Sequence, residues 1–210
     1  MSDLERPPSS LEGVRYGAIA RFEDPRGSFR ELWRADTFGD IDPALAGAPA
    51  AGAAPHSPVR FVQANLSTSA TGVLRGLHLH QRQLDHWVVA VGRAFVALVD
   101  VRPMLHGGDR PTVETRELVA DDWVDIPIGV AHGFLALEPL QLVYLVTNEY
   151  DGSDELGFAW DDPLAAVPWP AVASTPDARP ILSERDRSNP SLAELVGRLR
   201  TGAQTGPDEA

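Results

Sequence analysis

Arg75-Gly76-Leu77-His78-Leu79-His80 is the stretch around which the chain is organised, and residues 81–92 continue it. Three of the six histidines, His78, His80 and His86, lie there within a few positions of one another. His78 and His80 stand at i and i+2, so on a strand both imidazoles share one face. The sequence that follows is strand-forming. Trp87-Val88-Val89-Ala90-Val91 runs into Gly92, and Ala94-Phe95-Val96-Ala97-Leu98-Val99 comes after it. Two β-prone runs on either side of a turn glycine read as strands. Titratable groups aimed into one space carry a desolvation cost that pairing or function must offset. The rest of the chain reads as the container for this stretch.

Upstream, residues 14–22 supply a strand and Asp24-Pro25-Arg26-Gly27 a turn, after which Phe29, Glu31 and Trp33 alternate along a departing strand. Residues 1–13 are polar and proline-containing and predict a flexible arm. Residues 43–58 are rich in Ala, Gly and Pro without periodicity and predict a flexible loop. Residues 60–67 alternate, placing Gln63 and Asn65 on one face. Downstream, residues 112–119 predict a strand and Asp121-Asp122 a turn. Residues 123–126 then lead into Pro127-Ile128-Gly129-Val130-Ala131-His132-Gly133-Phe134, and an apolar run over 140–148 carries Tyr144. Leu192, Leu195, Val196 and Leu199 fall at helical spacing and predict a short helix over 191–199. Residues 201–210 predict a disordered tail. Many short strands between turns, with little helix, predict an all-β sandwich or barrel, one domain over residues 14–200.

Composition narrows the function. The chain has 210 residues, enough for one domain, and no run of 18 apolar residues that would predict a membrane-spanning helix. Its first residues lack the basic-then-apolar pattern of a secretory signal. Without cysteine there is no disulfide framework, thiol nucleophile or thiolate metal site, and a cytoplasmic location is expected. A net charge of −12 without a basic stripe argues against nucleic acid as a partner. An anionic small ligand is compatible with it if a few arginines gather locally.

His78-x-His80 with Asp85 and Gly92, followed by Pro127-x-Gly129-x-x-His132, resembles the two motifs of cupins, the small double-stranded β-helix (jelly-roll) barrels. In metal-binding cupins two histidines and a carboxylate join a histidine from the second motif. His78, His80, Asp85 and His132 are the corresponding candidates for a divalent transition metal. The asparagine usual after the second motif's histidine is Ala136 here. The bland alternative is a set of histidines lining a barrel mouth without metal.

A closer resemblance rests on five ordered segments within residues 14–190. They are Asp24-Pro25-Arg26-Gly27-Ser28-Phe29-Arg30-Glu31, Gln63-Ala64-Asn65-Leu66-Ser67, Gly72-Val73-Leu74-Arg75-Gly76-Leu77-His78, the segment from Ile126 through Phe134, and Tyr144 through Tyr150 with Leu182-Ser183-Glu184-Arg185-Asp186. Together they resemble the dTDP-4-dehydrorhamnose 3,5-epimerase family, metal-free enzymes of deoxysugar biosynthesis built on the cupin barrel. The resemblance implies a nucleotide-sugar epimerase inverting C3, C5 or both of a dTDP-4-keto-6-deoxyhexose through an enolate, with no cofactor. His78 matches the base, Asp186 its orienting partner and Tyr144 the proton donor. Arg26 and Arg75 match diphosphate-binding residues; Glu31, Gln63, Asn65, His132 and Tyr150 match residues of the sugar and nucleotide pocket. A homodimer sharing edge strands, with residues 14–22 as the candidate strand, is also implied. Two positions depart from the family pattern. His80 stands where glutamine is usual, and Asp85 where an ungapped count places a lysine near the sugar ketone. His80, His86 and Asn65 are the candidates to replace that donor. Two other functions remain open at this level: a metal-dependent cupin enzyme using His78, His80, Asp85 and His132, and a non-catalytic nucleotide-sugar binding barrel.

Overall fold

The structure is a computed structural model that describes residues 7–34, 60–172 and 175–202. The expected loop over 43–58 and residues 203–210 of the expected tail lie outside the described residues. Period-two alternation of β-branched and aromatic residues yields twelve strands in this part of the chain. They are β1 Arg15–Ala18, β2 Arg21–Asp24, β3 Gly27–Arg30, β4 Gln63–Ser69, β5 Leu74–Leu79, β6 Asp85–Val91, β7 Arg93–Asp100, β8 Thr112–Val119, β9 Asp122–Ile126, β10 Val130–Ala136, β11 Leu140–Val146 and β12 Leu156–Gly157. Three short helices join them: α1 Arg102–Leu105, α2 Glu184–Ser188 and α3 Leu192–Thr201.

The strands form two five-stranded antiparallel sheets, in the orders β1-β9-β6-β11-β4 and β12-β5-β10-β7-β8, and β2 and β3 make a separate hairpin. Val89, Val124, Leu140 and Leu142 of the first sheet pack against Val96, Leu98, Val130 and Phe134 of the second. The outer face of the second sheet is buried as well. Leu77, Leu79, Ala97, Val99 and Ala131 lie under Phe158 and under Leu192, Leu195 and Val196 of α3. Burial on both faces explains why β7 and β10 read as nearly continuous apolar runs. Each leucine so buried contributes about 1.5–3 kcal/mol. Helix α3 begins where the spacing predicts. Ser191 caps it reciprocally with Glu194, and Gly202 ends it in the left-handed region at φ 66°.

Two features were not legible from alternation. The runs either side of Gly92 do not pair with each other: β6 lies in the first sheet and β7 in the second. Gly92, at φ 87°, turns this corner where a Cβ would meet the Pro139 carbonyl oxygen at 2.2 Å. The second feature is a β-bulge in β5. His78 pairs with His132 but Arg75 pairs with Phe134, so β5 spends one more residue than β10 over this span. Residues 7–13 correct the expectation of a wholly flexible arm. Ser9 and Ser10 donate hydrogen bonds to the Glu114 carboxylate, and Leu11 is buried in the core.

Candidate active site

At one end the space between the sheets is lined by polar side chains and forms a cavity of about 430 Å³, within the usual range for small-ligand sites. Strand register builds it from two facing rows. Across the first sheet, Trp87, Tyr144 and Asn65 are direct register partners. Across the second, His78 and His132 are. Strict alternation would point Arg75 and His78 to opposite faces, because they are three residues apart. The bulge at Gly76 brings both to the cavity. Gly76 sits at φ 131°, and a Cβ there would meet the Gly133 Cα at 2.6 Å, so only glycine is accommodated.

His78 Nε2 donates to Asp186 Oδ1 at 2.8 Å, which leaves Nδ1 as the nitrogen with a free lone pair. Asp186 comes from α2, where the Ser183 side chain caps the helix by accepting from the Asp186 N–H. Burial pushes the Asp186 carboxyl up, but the hydrogen bonds with His78 and Ser183 and the nearby Arg185 charge outweigh it, so it lies below the ordinary carboxylate range. The Tyr144 phenol is raised by burial first, then by Asp85 and Glu155, against a smaller opposing effect of Arg75. It therefore stays protonated at neutral pH. His132 is pushed down to about 4 by burial, partly offset by Asp85 and reinforced by His80 and His78. Arg75 is anchored through its Nε on Ser69 Oγ at 3.1 Å. Gln63 donates to Asn65 Oδ1 at 2.8 Å and accepts from the backbone N–H of Tyr150.

Of the residues singled out in the sequence, His78, Tyr144, Gln63, Asn65, Arg75, His132 and Tyr150 line the cavity, and Asp186 stands directly behind His78. Arg26 and Glu31 do not reach it within this chain. Arg26 is exposed on the β2–β3 hairpin and pairs with Asp24, and Glu31 pairs with Arg34. His86 is also a correction. It is one position out of phase with Asp85 and Trp87, so it faces away from the cavity. There it bonds Asp125 through Nδ1 at 2.6 Å and packs near Phe61 and Trp123. It cannot serve as a donor to a substrate in the cavity.

The four expected metal-ligand candidates divide. His80, Asp85 and His132 each offer a donor atom, all within 4.8 Å of one another. His78 is turned instead to Asp186. Glu155 and Arg185 also line the cavity, as an ion pair that sequence reading did not single out. Arg185 lies next to Asp186 in the quoted segment, so α2 delivers both. Nothing in the sequence showed that the segment after Tyr150 would bring Glu155 to the same place.

Two facing antiparallel sheets with a polar, histidine-bearing cavity at one end define a cupin-type jelly-roll barrel. Residues 8–194 match the family model described as dTDP-4-dehydrorhamnose 3,5-epimerase. The chain is 39% identical to the enzyme of that name from Methanothermobacter thermautotrophicus, over 92% of this chain and 97% of the relative. It is 35% identical to the one from Pseudomonas aeruginosa, over 82% and 87%. A solved structure of a 3'-monoepimerase from Streptomyces bikiniensis in complex with dTDP-quinovose superposes with a TM-score of 0.71 at 27% identity, covering 94% of this chain and 91% of that one. The chain belongs to the dTDP-4-dehydrorhamnose 3,5-epimerase family, and with it to the sugar epimerases among the isomerases.

Proposed function

We propose that the protein inverts a carbon next to the ketone of a dTDP-4-keto-6-deoxy sugar, with His78 as base and Tyr144 as acid. The observation that carries this reading is the His78–Asp186 pair at 2.8 Å, on the sheet facing that of Tyr144. The C4 ketone acidifies the protons at C3 and C5. His78 Nδ1 takes one, and the imidazolium that forms is balanced by the Asp186 carboxylate. The electron pair delocalises onto the ketone oxygen as an enolate. Tyr144, still a phenol, then donates its proton to the carbon from the opposite face, and the configuration inverts. Arg75 faces the diphosphate, which a guanidinium binds in bidentate fashion. Gln63, Asn65, His132 and Tyr150 surround the sugar and base.

The test is solvent exchange. In heavy water the protein is expected to place deuterium at C3, C5 or both of such a sugar. His78→Asn is expected to lower exchange by about 10²-fold or more. Tyr144→Phe is expected to keep proton abstraction while slowing inversion. No exchange with any 4-keto-6-deoxy sugar nucleotide would sink the reading.

We further propose a homodimer in which the β2–β3 hairpin reaches the partner's cavity. Three observations support it: the exposed Phe22 and Phe29 on the hairpin, the exposed Leu66 on edge strand β4 beside the cavity, and the distance of Arg26 and Glu31 from the cavity of their own chain. The β1 strand, a candidate for exchange between chains, already pairs with β9 of its own chain. No helix among the described residues is long and apolar enough to cross a membrane, and a cytoplasmic location is proposed.

A further inference from the structure

The chain contains no lysine; all 18 of its basic residues other than histidine are arginine. An enolate forming in the cavity needs a positive or strongly polarising group at the ketone oxygen. Of the two arginines that line the cavity, Arg185 is paired with Glu155, and the proposed function places Arg75 on the diphosphate. The cavity wall instead carries a buried acidic side chain. Asp85 is 3% exposed, and among the described residues its carboxyl group accepts hydrogen bonds only from neutral donors, Gln83 Nε2 at 2.7 Å and Trp87 Nε1 at 3.0 Å. The nearest chargeable group is His132, whose Nε2 lies 3.6 Å from Asp85 Oδ2. A buried carboxylate held this way opposes an enolate unless a cation stands between them.

The two histidines beside it are arranged to accept such a cation. His80 Nδ1 lies 2.7 Å from the Asp154 carbonyl oxygen, and His132 Nδ1 lies 3.2 Å from that of Val130. A carbonyl oxygen only accepts, so in both rings Nδ1 carries the hydrogen and Nε2 keeps its lone pair. No donor among the described residues reaches either Nε2. Backbone carbonyls fixing the far nitrogen, and neutral donors fixing the carboxylate, are what orients metal ligands in protein sites.

We infer that His80 Nε2, His132 Nε2 and Asp85 bind one divalent transition-metal ion, whose open positions face the cavity and take the ketone oxygen of the substrate. The donor atoms lie within 4.8 Å of one another, a separation that small side-chain rotations close to metal–ligand distances of about 2.0–2.2 Å. Two imidazoles and one carboxylate suit zinc, iron, manganese or cobalt and leave coordination positions open. The site does not compete with the base, because His78 is turned to Asp186 and stays outside the ligand set. Its ligands are the two positions, His80 and Asp85, that depart from the family pattern, together with His132. The role at the ketone oxygen rests on the epimerase reading; the binding of the ion does not. Held by these three residues, the ion would supply Lewis-acid stabilisation of the charge on the ketone oxygen, while His78 takes the carbon-bound proton and Tyr144 returns one.

Protein stripped with EDTA and titrated with cobalt(II) tests the site directly. About one equivalent is expected, with visible ligand-field absorption that changes when the keto sugar nucleotide is added. Asp85→Asn, which preserves shape, and His80→Gln are each expected to weaken binding at least about 100-fold, whereas His78→Asn leaves it within threefold. Less than about 0.1 equivalent on the wild-type chain, or binding unaffected by Asp85→Asn, would overturn the site. The role is read by deuterium exchange in stripped and reloaded protein, expected to fall at least tenfold on stripping and to return with metal. Equal exchange in both forms would overturn the assignment of the ion to the ketone oxygen. Cobalt bound at one equivalent with no exchange in either form would overturn the epimerase reading and uphold the site.

Discussion

Asp186 keeps its charge in a nearly closed environment because His78 Nε2 and the Ser183 cap bond it and the Arg185 charge lies nearby. Its carboxyl is therefore depressed below its ordinary value of 3.8. A group depressed on folding stabilises the native state above its unfolded value, and that stabilisation is lost as the pH falls through the folded one. Asp186→Asn is accordingly expected to lower the Tm at neutral pH, with the gap to wild type holding down to about pH 4 and closing below it. Thermal melts over a pH series check this; a gap that stayed constant into strong acid would contradict it. The same variant is expected to lower turnover more than it changes KM, because it disturbs the tautomer of the base and not the grip on the nucleotide. Asp186 had no local signal of its own beyond the family segment that carries it. A carboxylate in a loop near the C-terminus becomes a partner of His78 only when α2 packs against β5.

At the scale of the element, β5 decides the site. Its alternation was legible: His78 and His80 share a side, and Leu77 and Leu79 take the other. The extra residue was not, because a bulge is defined by pairing with β10 and not by β5 alone. Gly76→Ala is expected to destabilise the protein by about 2 kcal/mol or more, since it adds a side chain at a left-handed backbone position against the Gly133 backbone. Because relief of that contact shifts Arg75, KM for the nucleotide sugar is expected to rise as well. Denaturant unfolding and steady-state kinetics on the variant decide it; wild-type stability would show that the bulge is not what orders this strand. The Gly92 corner makes the same point. Strand identity was readable on both sides of it, but not that the chain changes sheets there, since only contact with the residues around Pro139 separates a corner from a hairpin.

For the whole molecule, the exposed hairpin predicts a composite site. Arg26→Ala and His78→Asn chains, each impaired alone, are expected on mixing and re-equilibration to recover about one quarter of wild-type activity. Random pairing would give half of the dimers one intact site of their two. Activity equal to the mean of the two parents would place Arg26 outside the partner's cavity. The barrel, the two motifs, the short capped helix and most of the cavity's residues were determined by the sequence itself. Alternation, glycine placement and capping are local rules that a chain obeys before it meets its distant parts. What tertiary structure decided was partnership. It turned His86 away from the cavity, set Asp186 on His78, left Arg26 and Glu31 outside their own chain's cavity, and gathered His80, Asp85 and His132 with their lone pairs and charge together. The reason is physical: side-chain direction follows from the period of a strand, but which side chains meet depends on register between strands far apart in sequence, and register is fixed only when the two sheets close on a common core.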